Sequence, residues 1–258
     1  MHEVEATFTC TRCGTFGCEE CVFSALLDRE VCKACAATGL GEPIPWERRK
    51  ELGNWNAYWR TVKLAMLQPK RFHRTPTTQA SSFGAVAHGV LSSTIGLALS
   101  YVVNGLLLAL SGGVMALVVP GEGATIGAFL GAYGCMFAGM SPLALLIGPP
   151  NALLSMVIAA ACSHGFLAIF KRTKGGFEDT LRAVSYANAP YVWSFIPLVG
   201  MIGFFWMLTL ETVGIRETHR CSTEWALGAT LVYRGVLFGG VFLMYAAFFA
   251  LALMAPTR

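Results

Sequence analysis

The chain is short of charge. Only 13% of its 258 residues are Asp, Glu, Lys or Arg, where a soluble domain carries roughly 25%. The deficit is concentrated. Residues 1–82 hold eleven of the nineteen basic and nine of the fifteen acidic side chains, and Glu122 is the one formal charge between Phe83 and Phe170. An ordinary soluble enzyme is excluded by this, and a net charge of +4 makes no case for nucleic acid. Catalytic signatures are also missing. There is no H-E-x-x-H, no G-x-S-x-G, no Walker A loop and no pair of intramembrane aspartates, so a membrane protease or an ATP-driven pump has no chemical support. The acidic start Met-His-Glu-Val-Glu lacks the basic and apolar regions of a signal peptide, so none is expected. Internal repeats are absent, and the composition excludes disorder, collagen and coiled coil.

What the chain has in excess is apolar surface: 55% hydrophobic residues and a mean hydropathy of +0.56. A helix crosses a bilayer core of about 30 Å with about 20 apolar residues, so the stretch after Ser82 suffices for several crossings. Three zones separate by composition: a cysteine-rich module at 1–40, an amphipathic helix and basic linker at 41–82, and a membrane domain at 83–258. Within the last, spans are read at about 84–110, 124–147, 151–171, 190–213 and 229–254. The breaks between them fall at S-G-G (111–113), P-G-E-G (120–123), G-P-P-N (148–151), 171–180 and 215–224. Glycines and alanines inside the spans (Gly127, Gly131, Gly134, Gly139, Ala159, Ala160, Ala161) permit close helix contact in lipid. The expected fold is all-α: a polytopic transmembrane bundle of about five spans with a small N-terminal zinc-binding module.

Zone two places Leu52, Trp55, Trp59, Val62 and Met66 at helical spacing, with Arg48, Lys50, Arg60 and Lys63 around the rest. Aromatics opposite basic residues suit a membrane interface, and Pro69 should stop that helix. Lys70, Arg71 and Arg74 before the first span put the N-terminus in the cytoplasm. Five spans then place the basic loop with Lys171, Arg172, Lys174 and Arg182 outside, against the same rule. Splitting 83–119 near Asn104 would give six spans and move it inside.

The strongest chemical signal is C-x2-C-x4-C-x2-C-x10-C-x2-C, made by Cys10, Cys13, Cys18, Cys21, Cys32 and Cys35. A Cys-x-x-Cys turn aims two thiolates at one ion, and two turns complete a tetrahedral zinc site. A module of about 40 residues cannot fold on apolar burial alone, so metal is expected to stabilise it. In a cross-braced arrangement Cys10, Cys13, Cys32 and Cys35 share one ion, and Cys18 and Cys21 look upstream to His2. A ribbon would instead use Cys18, Cys21, Cys32 and Cys35. The stretch T-F-T-C-T-R-C-G-T-F-G-C-E-E-C resembles the core of B-box-like zinc fingers, which bind two ions.

Polar residues of the membrane zone are few: His88, Asn104, His164, Asn188, Glu211 and Arg234. Each is expected to sit near an interface and snorkel, or to pair within the bundle; Glu211 is expected at the headgroups, Arg234 to snorkel, and His164 to be structural. A solute path past Asn104, His164 and Asn188 would make a transporter or channel, and His88 with His164 as metal ligands would make an intramembrane enzyme.

The run G-G-F-E-D-T-L-R-A-V-S-Y-A-N-A-P, followed by S-F-I-P-L-V-G-M-I-G-F-F-W-M-L-T-L-E-T-V-G-I-R-E-T-H-R-C-S-T, resembles the Yip domain family. The matching positions are Gly175, Gly176, Phe177, Thr180, Tyr186, Pro190, Pro197, Gly200, Trp206, Gly214, Glu217 and His219, and the likeness extends over about 57–258. It implies five spans, a cytoplasmic N-terminus and a non-enzymatic role in membrane organisation or trafficking. Eukaryotic members bind small GTPases, but the finger and the lack of an acidic cytosolic arm depart from that branch and argue against a GTPase partner. The expected partners are the lipid bilayer and a protein recruited by the zinc module. The resemblance leans bacterial, which implies an inner membrane; in a eukaryote it implies ER or Golgi.

Overall fold

A computed structural model describes residues 7–10, 14–18, 22–25, 29–37, 44–73 and 82–254. Cys13, Cys21, His2 and the linker around Arg74 lie outside the described residues. The cysteine-rich zone forms two small antiparallel hairpins, β1 (Phe8–Thr9) with β2 (Phe16–Gly17) and β3 (Val22–Ala25) with β4 (Arg29–Cys32), followed by α1 (Lys33–Ala37). All the other described elements are helical.

The second zone is not one helix. A 3-10 turn at Pro45–Arg48 leads into α2 (Arg49–Leu52), and Gly53, at φ 80°, breaks it from α3 (Asn54–Leu67). That conformation is easy only for glycine. As expected, the helix stops before Pro69, which then occupies the first turn of α4 (Pro69–His73). The buried face of α3 is Ala57, Tyr58, Thr61, Val62 and Ala65. The aromatic stripe read from the sequence lies beside this face: Val62 is shared, Leu52, Trp59 and Met66 pack half-buried against the same core, and Trp55 is 68% exposed. The reason is tertiary. This segment packs on the membrane bundle, where Tyr58 inserts with its hydroxyl 3.1 Å from Ser92 Oγ and fixes which side of α3 is covered.

The bundle begins with α5 (Ser82–Val118), 37 residues without interruption and so about 55 Å long. It runs straight through Asn104 and through Ser111–Gly113, so neither break forms there. The chain returns through α6 (Glu122–Gly139) and α7 (Ser141–Ile169), joined by Met140 alone. A Cβ on Gly112 would strike the backbone of Gly127 and Gly131, and one on Gly105 would lie 2.5 Å from the Ala138 nitrogen. Further along, Thr94 meets Gly148, and a Cβ on Gly89 would lie 2.7 Å from the Met156 sulfur. The α5 numbers fall as their partners' numbers rise, so α6 and α7 together run antiparallel along α5. The expected division at 148–151 is therefore corrected. Helix α7 passes through Pro149 and Pro150, and its own start carries Pro142 in the first turn. In lipid a broken helix would expose backbone groups, whereas neighbouring helices tolerate an embedded proline.

Next come α8 (Phe177–Ala187), a 3-10 turn at Ala189–Trp193, α9 (Pro197–His219) and α10 (Thr223–Met254). Helix α8 is exposed at its start, at Phe177 and Glu178, and buried all round in its second half, Arg182–Ala187. Among the described residues, three helices are long and apolar enough to cross a membrane: Ser82–Val118, Ser141–Ile169 and Pro197–His219. The ends of the path from 82 to 178 lie together, since Ser82 Oγ donates to Glu178 Oε2 at 3.0 Å. The loop at 171–176 therefore sits at the same end of the bundle as residues 44–73. Counting 124–147 and 151–171 as separate crossings would have put it at the opposite end. With that loop at the same end of the bundle as Lys70 and Arg71, the conflict over its positive charge disappears.

Candidate functional site

The cysteine module builds a site from its hairpins. The Cys10 N–H donates to the Thr15 carbonyl and the Gly14 N–H to the Cys10 carbonyl, both at 2.9 Å, while Gly14 sits at φ 75°. This tight turn carries Cys10 at its start. Register pairs Val22 with Cys32, which delivers Cys32 to the end of β4 and Cys35 to α1 one turn later. The Cys32 N–H points at Cys10 Sγ, 3.4 Å away, and the sulfurs of Cys10, Cys32 and Cys35 lie within 4.8 Å of one another. A tetrahedral zinc–thiolate site needs sulfurs about 3.8 Å apart, from bonds of about 2.3 Å. The donor set and spacing therefore fit such an ion. One cysteine of the first turn, Cys10, meets both cysteines of the third, Cys32 and Cys35, and among the described residues Cys18 is buried outside this group.

A second constellation fastens the 44–73 segment to the bundle. Arg182 Nη2 meets Glu47 Oε1 at 2.7 Å with both side chains largely buried, and Tyr186 Oη donates to the same oxygen at 3.4 Å. Beside it, the Trp46 N–H donates to Thr61 Oγ1 (2.8 Å) and the indole N–H to the Gly84 carbonyl (2.7 Å). Burial raises the phenol pKa values of Tyr58 and Tyr186, with Glu47 adding to the effect at Tyr186. His73 lies against Gly214, and burial pushes its pKa down to about 4, partly opposed by Glu217 and reinforced by Arg182.

The polar residues of the membrane zone fall into separate clusters. His88 is fully buried among the rings of Trp46, Tyr58 and Tyr186, at centroid distances of 5.6, 5.1 and 5.4 Å, and neither ring nitrogen has a partner among the described residues. His164 Nδ1 is 2.9 Å from Thr180 Oγ1, which is 2.8 Å from His219 Nε2. His88 and His164 thus have different neighbours and do not meet as metal ligands. Asn104 bonds within its own helix turn, to Ser100. Asn188 donates to the Val184 carbonyl at 2.9 Å, so among the described residues no hydrogen bond links Asn104, His164 and Asn188 to one another.

Glu211 and Arg234 depart from their expected places. Glu211 is 2% exposed, and its Oε2 accepts from Arg234 Nη2 at 2.7 Å. The pair closes α9 against α10 inside the bundle; neither residue snorkels to a headgroup. Opposite charges in an apolar interior pair because each alone would carry the full cost of desolvation. Spacing gave no sign of this partnership, although two lone charges in neighbouring apolar runs were a usable signal.

Residues 66–246, more than two thirds of the chain, match the family described as the Yip1 domain. No curated protein and no solved structure matches the chain.

Proposed function

From the chain's membership of the Yip1 domain family, we propose that this multi-pass membrane protein is non-enzymatic, that its bundle organises membrane or membrane proteins, and that a zinc module recruits a partner from the cytoplasm. The carrying observation is the approach of the Cys10, Cys32 and Cys35 sulfurs within 4.8 Å, in a module that precedes the family region. Cys13 is the natural fourth ligand by its Cys-x-x-Cys spacing from Cys10. Zinc would close the two hairpins and α1 into one unit, with Phe8 packed against the cysteines. The six-cysteine pattern and its likeness to B-box-like fingers support a recruiting role. Basic residues at the 44–73 end and in the 171–174 loop support a cytoplasmic face there; the expected setting is a bacterial inner membrane.

The test is affinity purification of the full-length chain and of a chain lacking residues 1–40, each after in-cell cross-linking. Membrane insertion should survive the deletion, and a cytosolic protein captured with the full chain should be lost. Identical captured sets would refute the recruiting role.

A further inference from the structure

Between α7, α8, α9 and α10 lies a cavity of about 140 Å³, and the Glu211–Arg234 pair forms part of its wall. Only half of the Glu211 carboxylate is used. Oε2 accepts from Arg234, while Oε1 is buried without a hydrogen-bond partner. An orphan carboxylate oxygen in a desolvated site is costly, and the group that would satisfy it is a charged N–H donor. The rings of Tyr191, Phe204 and Tyr233 line the same cavity, and aromatic faces attract an ammonium. Arg234 gives one N–H to Glu211 and one to the Thr230 carbonyl at 2.9 Å. A guanidinium has five, so donors remain for an anion, and Ser155 and Asn188 add polar atoms.

Charge balance narrows the ligand. The pair is neutral as it stands. A lone cation or anion would leave net charge in a low-dielectric site, whereas a zwitterion would not. A neighbouring cavity of about 250 Å³ shares Tyr191, Phe204 and Met207 with the first, and its remaining lining, Pro190, Ser194, Pro197, Gly200 and Gly203, carries no charged side chain, the buried Ser194 hydroxyl being its one further polar side-chain group. A chamber walled by the Glu211–Arg234 pair and joined to a slot without charged side chains matches a headgroup joined to an acyl chain.

We propose that this double cavity binds a phospholipid with a primary-ammonium, net-neutral headgroup, that is, phosphoethanolamine on a diacylglycerol. The ammonium donates to Glu211 Oε1, the phosphate accepts from Arg234, and the chain leaves along the slot beside Gly203. Choline lipids lack the N–H donors that Oε1 requires, and glycerol lipids lack the cation. The site is built from the bundle alone, so it stands whether or not the cysteine module holds metal.

The experiment is native mass spectrometry of the full chain in detergent, with phosphatidylethanolamine, phosphatidylcholine and phosphatidylglycerol at equal concentration. Soluble phosphoethanolamine is included as a separate competitor. The ethanolamine lipid should be retained at least about fivefold over the others. E211Q should abolish that preference. Should E211Q fail to fold, Gly203→Leu decides: a Cβ there meets the Pro190 oxygen at an ordinary 3.6 Å, so this variant fills the slot without touching the ion pair and should cut retention about fivefold. Equal retention of the three lipids, a preference unchanged in E211Q, undiminished retention in Gly203→Leu, or displacement by the free headgroup at about 1 mM would each overturn the proposal.

Discussion

Removing Arg182 should undock the 44–73 segment while leaving the bundle inserted. The Arg182 and Glu47 side chains are 5% and 16% exposed and meet at 2.7 Å. Unit charges about 4 Å apart attract by about 4 kcal/mol at an effective dielectric near 20, and desolvation of both groups cancels much of that. Deleting one partner is different, because the other is left buried and uncompensated, at a cost of about 3–5 kcal/mol. In Arg182→Met, Glu47 keeps only the 3.4 Å bond from Tyr186, and the Trp46 anchor to Thr61 and Gly84 loses its neighbour. Limited proteolysis in detergent should then cut within 44–73 far faster than in the parent chain, and thermal unfolding should begin on the order of 6–10 °C lower. The double variant Glu47→Met with Arg182→Met should recover to within about 1 kcal/mol, since apolar replacement of a buried pair is close to neutral. If Arg182→Met were indistinguishable from the parent, or the double variant worse than either single one, the pair would not be what holds this segment.

Adjacent glycines offer a sharper contrast. Gly112→Ala drives a methyl into the backbone of α6 and should destabilise the α5–α6 packing by about 1–3 kcal/mol, whereas Gly113→Ala, with nothing within 4 Å of its Cβ, should be neutral within about 0.5 kcal/mol; thermal unfolding in detergent checks both. His73 sets a pH window. Its folded pKa of about 4 lies below the ordinary 6.5, so between these values the unfolded chain binds more protons. Its contribution is complete above about pH 6.5 and is lost as pH falls toward 4, by at most about 3 kcal/mol. The stability of His73→Gln should fall less than the parent's across that range. Purified protein should carry zinc by plasma emission spectrometry, and Cys10→Ser should lose most of it while Cys135→Ser, on an exposed face of α6, keeps it.

The sequence by itself determined that the back of this chain belongs in lipid, because one formal charge in 88 residues leaves no soluble alternative. It also marked the six cysteines, since a repeated Cys-x-x-Cys is local chemistry readable without a fold. Helix ends set by local stereochemistry were legible too, as at Pro69 and the P-G-E-G turn. Only the tertiary structure decided the rest. Pro149 and Pro150 read as a break because proline disrupts an isolated helix, but packing along α5 and the absence of water keep α7 whole. On α3 the helical spacing located the packed side to within a turn, but that Tyr58 is covered and Trp55 exposed depends on where Ser92 of α5 lies. Glu211 and Arg234 are 23 residues apart in the chain, and no local pattern joins them. Pairing of that kind depends on which helices become neighbours, and it was α8, α9 and α10 folding against α7 that turned two isolated charges into the wall of a cavity.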